Sequence, residues 1–309
     1  MNIRNILIVG AGLIGKSLAI VYSTCKDVNI TLYDIKDEGV LDSVHQNMRQ
    51  LEAHGILTAE EVKDRMSRIS FTMDMEAPCF KQADFVAECV FEKLELKQET
   101  FQKLEEKCRE DAIFATNTSV MSVTGIAKKV KNKQRLVGTH YWNPAHLIPL
   151  VEVVKSEYTS DEVAEATLEL LENSGKVAVL CKKDVPGFIG NRMQHALWRE
   201  ALWLVENDVC DVETVDKTVR YSFGLRLPQL GPMENLDMVG ADLSYNVHAY
   251  LFPHLNNAEK PSPILEDLVK QGNLGFKTGG KGLQKWTPEQ IEKSRRELNE
   301  YLIKMIYKV

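Results

Sequence analysis

No two of the six cysteines stand at CxxC spacing; Cys25, Cys79, Cys89, Cys108, Cys181 and Cys210 are scattered along the 309 residues. That scatter argues against a disulfide framework or a zinc cage and fits free thiols in a reducing cytoplasm. Long apolar runs are also missing, and none approaches the roughly 20 residues that cross a bilayer. Basic stripes are absent. With 38 Lys and Arg against 44 Asp and Glu the net charge is −6, which argues against nucleic acid as the main partner. Internal repeats and low-complexity tracts are lacking too. The N-terminal MNIRNILIVGAG has a signal-peptide look, but its apolar part is short and threaded with glycine, so it reads as a first strand.

What is present is an alternation of two periods. Residues 6–9, 28–33, 83–88, 113–116 and 136–138 read as buried strands, with helical patterns at 14–24 and 94–108 between them. The polar stretch 42–66 carries two helical patterns broken around Gly55. Thr159-Ser160-Asp161-Glu162 has the spacing of a capping box for a helix ending near Gly175, and 176–180 reads as the last strand. Such alternation implies an α/β fold, a Rossmann-type doubly wound sheet, parallel and covered on both faces. The run Asp184-Val185-Pro186-Gly187 breaks the pattern. Beyond it only helical segments follow, at 189–206, 212–221, 234–252, 263–270 and 288–306. The expected division is therefore a dinucleotide-binding domain over 1–183 and an all-helical C-terminal domain over 184–309.

Gly10-Ala11-Gly12-Leu13-Ile14-Gly15 is a GxGxxG run between an expected strand and an expected helix. Gly10 permits the tight turn, Gly12 lets the backbone approach a pyrophosphate, and Gly15 lets helix and strand pack closely. Leu13 and Ile14 open the helix whose N-terminus faces the anion. Asp34 ends the second strand, where a carboxylate accepts from a ribose hydroxyl and repels a 2′-phosphate, so NAD is expected over NADP, with Lys36 the one neighbour of opposite tendency. A nicotinamide cofactor implies hydride transfer, and oxidation of an alcohol needs a base for the hydroxyl proton. His140 ends an expected strand at the sheet edge where ligands sit. Glu152, inside the apolar run Leu150-Val151-Glu152-Val153-Val154, needs a partner if it is buried. Pro144 and Pro149 let the chain turn back between them, and a carboxylate beside an imidazole is the pairing that fixes its tautomer. Ser119 follows the strand at 113–116, and Asn191 lies at the start of the helix after the boundary.

The motifs GAGLIG, AECVFEKLELK, NTSV, HYWNP with VEVV following, VPGFIGNR and FKTGGKG occur in this order over nearly the whole chain, which thereby resembles the L-3-hydroxyacyl-CoA dehydrogenase family. The resemblance implies an NAD-dependent enzyme converting a 3-hydroxyacyl-CoA to its 3-keto form in fatty acid metabolism, with a dyad at His140 and Glu152. It implies that Ser119 and Asn191 hold the substrate's reacting oxygen or carbonyl. It places cofactor contacts at Glu92, Lys97, Ser119, Asn143 and Lys277, no metal, and a homodimer through the C-terminal helices. Three departures are visible. Tyr141-Trp142 stands where those enzymes carry two Phe, Arg226 lies in an extended stretch before Gly231-Pro232, and the segment after Asp34 gives no match for CoA contacts at Lys63, Arg65 or Arg68. HYWNPAHLIPLVEVV equally resembles a branch acting on a pyridine carboxylate, beside those acting on gulonate or carnitine. Arg226 would suit a free carboxylate there. A non-catalytic NAD-binding protein is the remaining alternative, and it predicts loss of at least one of His140, Glu152, Ser119 and Asn191; all four are present. Tyr141, Trp142 and His146 are the residues expected to separate one substrate from another. Glu88 and Lys93 read as solvated neighbours, and His146 as loop surface.

Overall fold

The computed structural model describes residues 3–308. They divide into two compact units: one runs up to Arg192 and regains the chain from Asn299 onward, the other is Met193–Leu298. The expected division at 183 and 184 precedes Arg192; the helix that begins at Gly190 has its first turn bonded into the first unit. The last turns of the final helix also belong to the first unit, where Leu302, Ile303 and Ile306 pack on its core.

In chain order the first unit comprises β1 (Asn5–Val9), α1 (Leu13–Tyr22), β2 (Asn29–Tyr33), α2 (Val40–Ala53), α3 (Ala59–Ser67), β3 (Ile69–Thr72), α4 (Pro78–Gln82) and β4 (Phe85–Glu88). It continues through α5 (Leu94–Lys107), β5 (Ile113–Thr116), α6 (Val123–Ile126), β6 (Leu136–Tyr141), β7 (Leu150–Val154), α7 (Asp161–Asn173), β8 (Val177–Cys181) and the start of α8 (Gly190–Glu206). The strands form one sheet in the order β3-β2-β1-β4-β5-β6-β7-β8. All neighbours are parallel except β6 and β7, which run antiparallel. The parallel run is interrupted at that one pairing, since a loop of only residues 142–149 is too short for a helical crossover and reverses the chain instead.

Strand alternation builds the two covered faces. Ile6 and Ile8 join Leu18, Tyr22, Ile30, Leu32, Val44 and Met48 on one side. Leu7 and Val9 join Phe80, Phe101, Leu104 and Phe114 on the other. Each such side chain taken fully from water contributes about 1.5–3 kcal/mol. Two local expectations shift. Ser160, not Thr159, caps α7, accepting from the Val163 amide at 3.2 Å, while Thr159 is buried and donates to Leu136 O at 2.6 Å. Reciprocal capping boxes lie instead at Thr58 and Glu61, opening α3, and at Thr287 and Gln290 before the last helix. Arg68 is tied to the carbonyls of Ser23, Cys25 and Val28 after α1, a structural use that explains its place in this segment.

The second unit holds the rest of α8 and then α9 (Val212–Arg220), α10 (Phe223–Arg226), α11 (Pro232–Val239), α12 (Ala241–Leu251), α13 (Pro263–Lys270) and most of α14 (Pro288–Tyr307). The single helix expected over 234–252 is two, because Gly240 adopts φ +98° and breaks the ladder between α11 and α12. Apolar side chains stand open on this unit, Tyr221 at 80% and Tyr250 at 77% exposure among them.

Candidate active site

The turn after β1 is shaped by what its glycines leave out. Gly10 sits at φ +102°, and a Cβ there would lie 2.7 Å from Cys89 O at the end of β4. A Cβ on Gly15 would meet Gly10 O at 1.9 Å, so only glycine lets α1 seat on this turn. Gly12 differs: nothing stands within 4 Å of its open side. It caps α1 without a side-chain bond, so the amides of the first turn, which begins at Leu13 and Ile14, face outward. Beside them Asp34 accepts from the Ala11 amide through Oδ2 and from the Ile35 amide through Oδ1, both at 2.7 Å. Open backbone, a helix N-terminus and a carboxylate at the end of β2 fit a pyrophosphate with its adjoining ribose.

Beneath the neighbouring edge lies a charge cluster whose Glu88 was expected in solvent. Glu88 and Lys97 are each 0% exposed. Lys97 Nζ donates to Glu88 Oε1 at 2.8 Å and to Asn117 O at 3.0 Å, and it lies 3.5 Å from Glu92 Oε2. Glu88 also accepts from the Thr116 hydroxyl at 2.6 Å and the Val90 amide at 2.7 Å. Burial pushes the Glu88 carboxyl up, and Lys97, Thr116 and Val90 pull it back. Lys97 was expected to touch the cofactor. Fully enclosed, with its donors met by protein atoms, it instead holds the loops after β4 and β5 from below. Glu92 stands above, half-exposed, accepting from the Ser119 amide at 2.9 Å and from the Thr118 hydroxyl.

His140 and Glu152 are direct cross-strand partners on β6 and β7. Their side chains are buried, and His140 Nδ1 lies 2.7 Å from Glu152 Oε2. The other oxygen, Oε1, accepts from the amides of Ile189 at 2.8 Å and Gly190 at 3.0 Å, where α8 begins. Phe188 turns those amides inward: it is a non-glycine residue at φ +50°, buried, with its ring 5.7 Å from the imidazole. Desolvation works to raise the Glu152 pKa, but the His140, Gly190 and Ile189 hydrogen bonds outweigh it, so the group stays below the ordinary carboxylate value.

Ser119 is exposed at the edge after β5, and its carbonyl accepts from Asn191 Nδ2 at 2.8 Å. Asn143 is exposed on the loop after β6. Lys277 lies on a short 3₁₀ turn of the second unit. The three residues expected to mark the substrate part company. Tyr141 points into the core, its hydroxyl 2.6 Å from that of Tyr22, because strand alternation turns it away from His140. His146 is not loop surface: it packs inward with Nδ1 3.1 Å from Ser17 Oγ on α1. Trp142 alone stays with the dyad, 5.4 Å from the imidazole ring and packed so closely on Gly190 that a Cβ there would lie 2.6 Å from the indole.

The family described as 3-hydroxyacyl-CoA dehydrogenase, NAD binding domain, matches residues 5–185, and its C-terminal domain matches 187–285. Similar proteins include the 5-formyl-3-hydroxy-2-methylpyridine 4-carboxylate 5-dehydrogenase of Mesorhizobium japonicum, 31% identical over 97% of this chain and 96% of that one. A probable 3-hydroxybutyryl-CoA dehydrogenase of Bacillus subtilis is 33% identical over 90% and 96%. The 3-hydroxyadipyl-CoA dehydrogenase of Escherichia coli is 33% identical over 94% of this chain, which spans 60% of its length. Among solved structures, a 5-formyl-3-hydroxy-2-methylpyridine 4-carboxylic acid 5-dehydrogenase described as NAD+-dependent superimposes with a TM-score of 0.89, 30% identity and 99% coverage of both chains. The (S)-3-hydroxybutyryl-CoA dehydrogenase of Ralstonia eutropha gives 0.77, 27%, and 93% and 100%.

The position of His146 has a consequence in acid. Burial, with Lys176 nearby, pulls its pKa from 6.5 to about 4. The folded state keeps the ring neutral while the unfolded chain protonates, so its stabilising contribution is complete above pH 6.5 and is lost as pH falls through about 4. Urea unfolding should therefore show His146→Leu losing roughly 1–3 kcal/mol less than wild type between about pH 7 and 4.5. Equal losses in the two proteins would remove His146 as the cause.

Proposed function

Because this chain belongs to the 3-hydroxyacyl-CoA dehydrogenase family and uses NAD, we propose that it moves a hydride between NAD and the hydroxyl-bearing carbon of a 3-hydroxyacyl-CoA, with His140 as general base and Glu152 as its orienting carboxylate. The observation that carries this reading is the enclosed 2.7 Å contact between His140 Nδ1 and Glu152 Oε2. An ionised Glu152 accepts from a protonated Nδ1, which leaves the lone pair of the neutral ring on Nε2. Nε2 takes the substrate's hydroxyl proton as the carbon gives up hydride, and the product is the ketone. NAD, when bound, supplies the acceptor for that hydride. Glu152 then stabilises the imidazolium, and in the reverse direction Nε2 returns the proton.

Ser119 and Asn191 are proposed to hold the substrate's reacting oxygen. Asn191 spends one N–H on Ser119 O and keeps Oδ1 and a second N–H for that role. Gly10, Gly12, Leu13, Ile14, Gly15, Asp34, Glu92, Asn143 and Lys277 are the proposed cofactor contacts. Lys97 acts on them through Glu92 and the Asn117 carbonyl. The working division is taken at 183 and 184, with the helical part serving substrate binding and self-association as a homodimer. Its exposed Tyr221, Met233, Met238, Tyr245 and Tyr250 support that use. The six free cysteines support a cytoplasmic site, and acyl-CoA use would place the enzyme in fatty acid metabolism.

A second reading keeps the dyad and cofactor but takes a free hydroxy acid or small alcohol of the gulonate, carnitine or pyridine carboxylate kind. It is favoured by the TM-score of 0.89 to the pyridine carboxylate enzyme, against 0.77 to the hydroxybutyryl-CoA enzyme. Following NADH absorbance with acetoacetyl-CoA beside a panel of free keto acids and aldehydes separates them. Failure of every acyl-CoA to support NADH oxidation would sink the first.

His140→Ala should cut turnover by about 10²–10⁴ with NADH binding unchanged, and Glu152→Gln should cost less, by disturbing the imidazole rather than removing the base. Near-normal turnover in His140→Ala would overturn the dyad. Light scattering should give twice the 35.0 kDa chain mass; a single-chain mass at micromolar protein would refute the dimer.

A further inference from the structure

The loop that joins the two dyad strands is pinned by a buried lysine. Lys176 stands directly before β8 and is 9% exposed. Its Nζ donates to Ala145 O at 2.5 Å and to Ile148 O at 3.0 Å. Those carbonyls belong to a single turn in which the Leu147 and Ile148 amides both donate to Pro144 O, at 3.0 and 2.9 Å. One turn leaves its carbonyls unmet along the chain, and an ammonium supplies strong donors for them. On the other side the same turn is tied to the cofactor helix, through His146 Nδ1 and Ser17 Oγ.

A buried ammonium is an expensive way to fill space. Desolvation pushes Lys176 down to about 8, a measure of how poorly the site replaces water. Ala145 and Leu147 beside it are fully buried and apolar, so a methionine of similar length would pack there without that cost. The charge is explained by what the tied turn carries. Asn143 lies exposed immediately before it, at the C-terminal end of β6. In a sheet ordered β3-β2-β1-β4-β5-β6, that end belongs to the half flanking the nicotinamide, across the switch point from the adenosine half.

We propose that Lys176 is a positioning residue for the cofactor: by pinning the Ala145 and Ile148 carbonyls it holds Asn143 on the nicotinamide side of the dinucleotide site. The inference rests on the reading of Asn143 as a cofactor contact. Ser17 sets the same turn from the α1 side. Loosening either tie weakens the nicotinamide half of the site and leaves the adenosine half, built on Asp34 and the glycine turn, as it was.

Equilibrium titration of the full-length protein with NADH and with ADP, without substrate, tests this independently of substrate identity. Lys176→Met should weaken NADH binding about tenfold while ADP affinity stays within about twofold. Ser17→Ala leaves Lys176 in place and should show the same split at roughly threefold; it decides the matter if Lys176→Met does not accumulate folded. Unchanged NADH affinity overturns the proposal, as does an equal loss for NADH and ADP, which would mark a merely structural lysine. Asn143→Ala separates the two claims. Normal NADH binding in that variant sinks the Asn143 contact and the proposal with it. Weakened binding there, with Lys176→Met unaffected, sinks only the positioning role.

Discussion

A carboxylate withdrawn from water must be matched oxygen by oxygen, and Glu152 imposes that demand on everything around it. One oxygen is met by His140 across an antiparallel strand pair, the other by two amides at the start of α8. The demand explains features that otherwise look unrelated. The reversal between β6 and β7 puts imidazole and carboxylate in register. The left-handed backbone at Phe188 aims successive amides at one point. Gly190 has no side chain because the indole of Trp142 fills the place. Removing any one of these leaves a buried charge short of a partner, which is worse than never having buried it.

The same logic repeats under the cofactor edge, where Glu88 and Lys97 satisfy each other and hold the loops above. Buried ion pairs contribute little net stability against apolar substitutes, so their value lies in fixing geometry. The dyad, the glycine turn and Asp34 all fall in the first unit. Relatives named for a pyridine carboxylate and for a CoA thioester match 97% and 90% of this chain.

How far the sequence spoke depended on whether a residue's partner lay nearby in pattern. Gly10, Gly12, Gly15 and Asp34 announce themselves because their spacing follows one strand–turn–helix unit. Glu152 was legible because an acid between valines has few explanations, and the Rossmann-type sheet followed from alternation of period. Glu88 and Lys97 were misread as solvent-facing or ligand-facing, because helix periodicity cannot tell a lysine that reaches outward from one that reaches under the sheet. The four residues of β3 were too few to show a period, and the turn of the chain at Gly240 hid inside a continuous helical pattern. Tyr141 and His146 were assigned to substrate by proximity to His140. Strand alternation turns the first inward, and the loop's tie to α1 seats the second.

The phenol pair inside the core ties two distant letters of the sequence together. Tyr22 and Tyr141 satisfy each other where no water reaches, so phenylalanine at either position alone strands the partner's hydroxyl at roughly 1–3 kcal/mol. Exchanged together, the two positions pass from tyrosine to phenylalanine with little loss. A change at either position therefore carries a cost that the matching change at the other removes. Positions 22 and 141 are in that sense a single choice, written 119 residues apart.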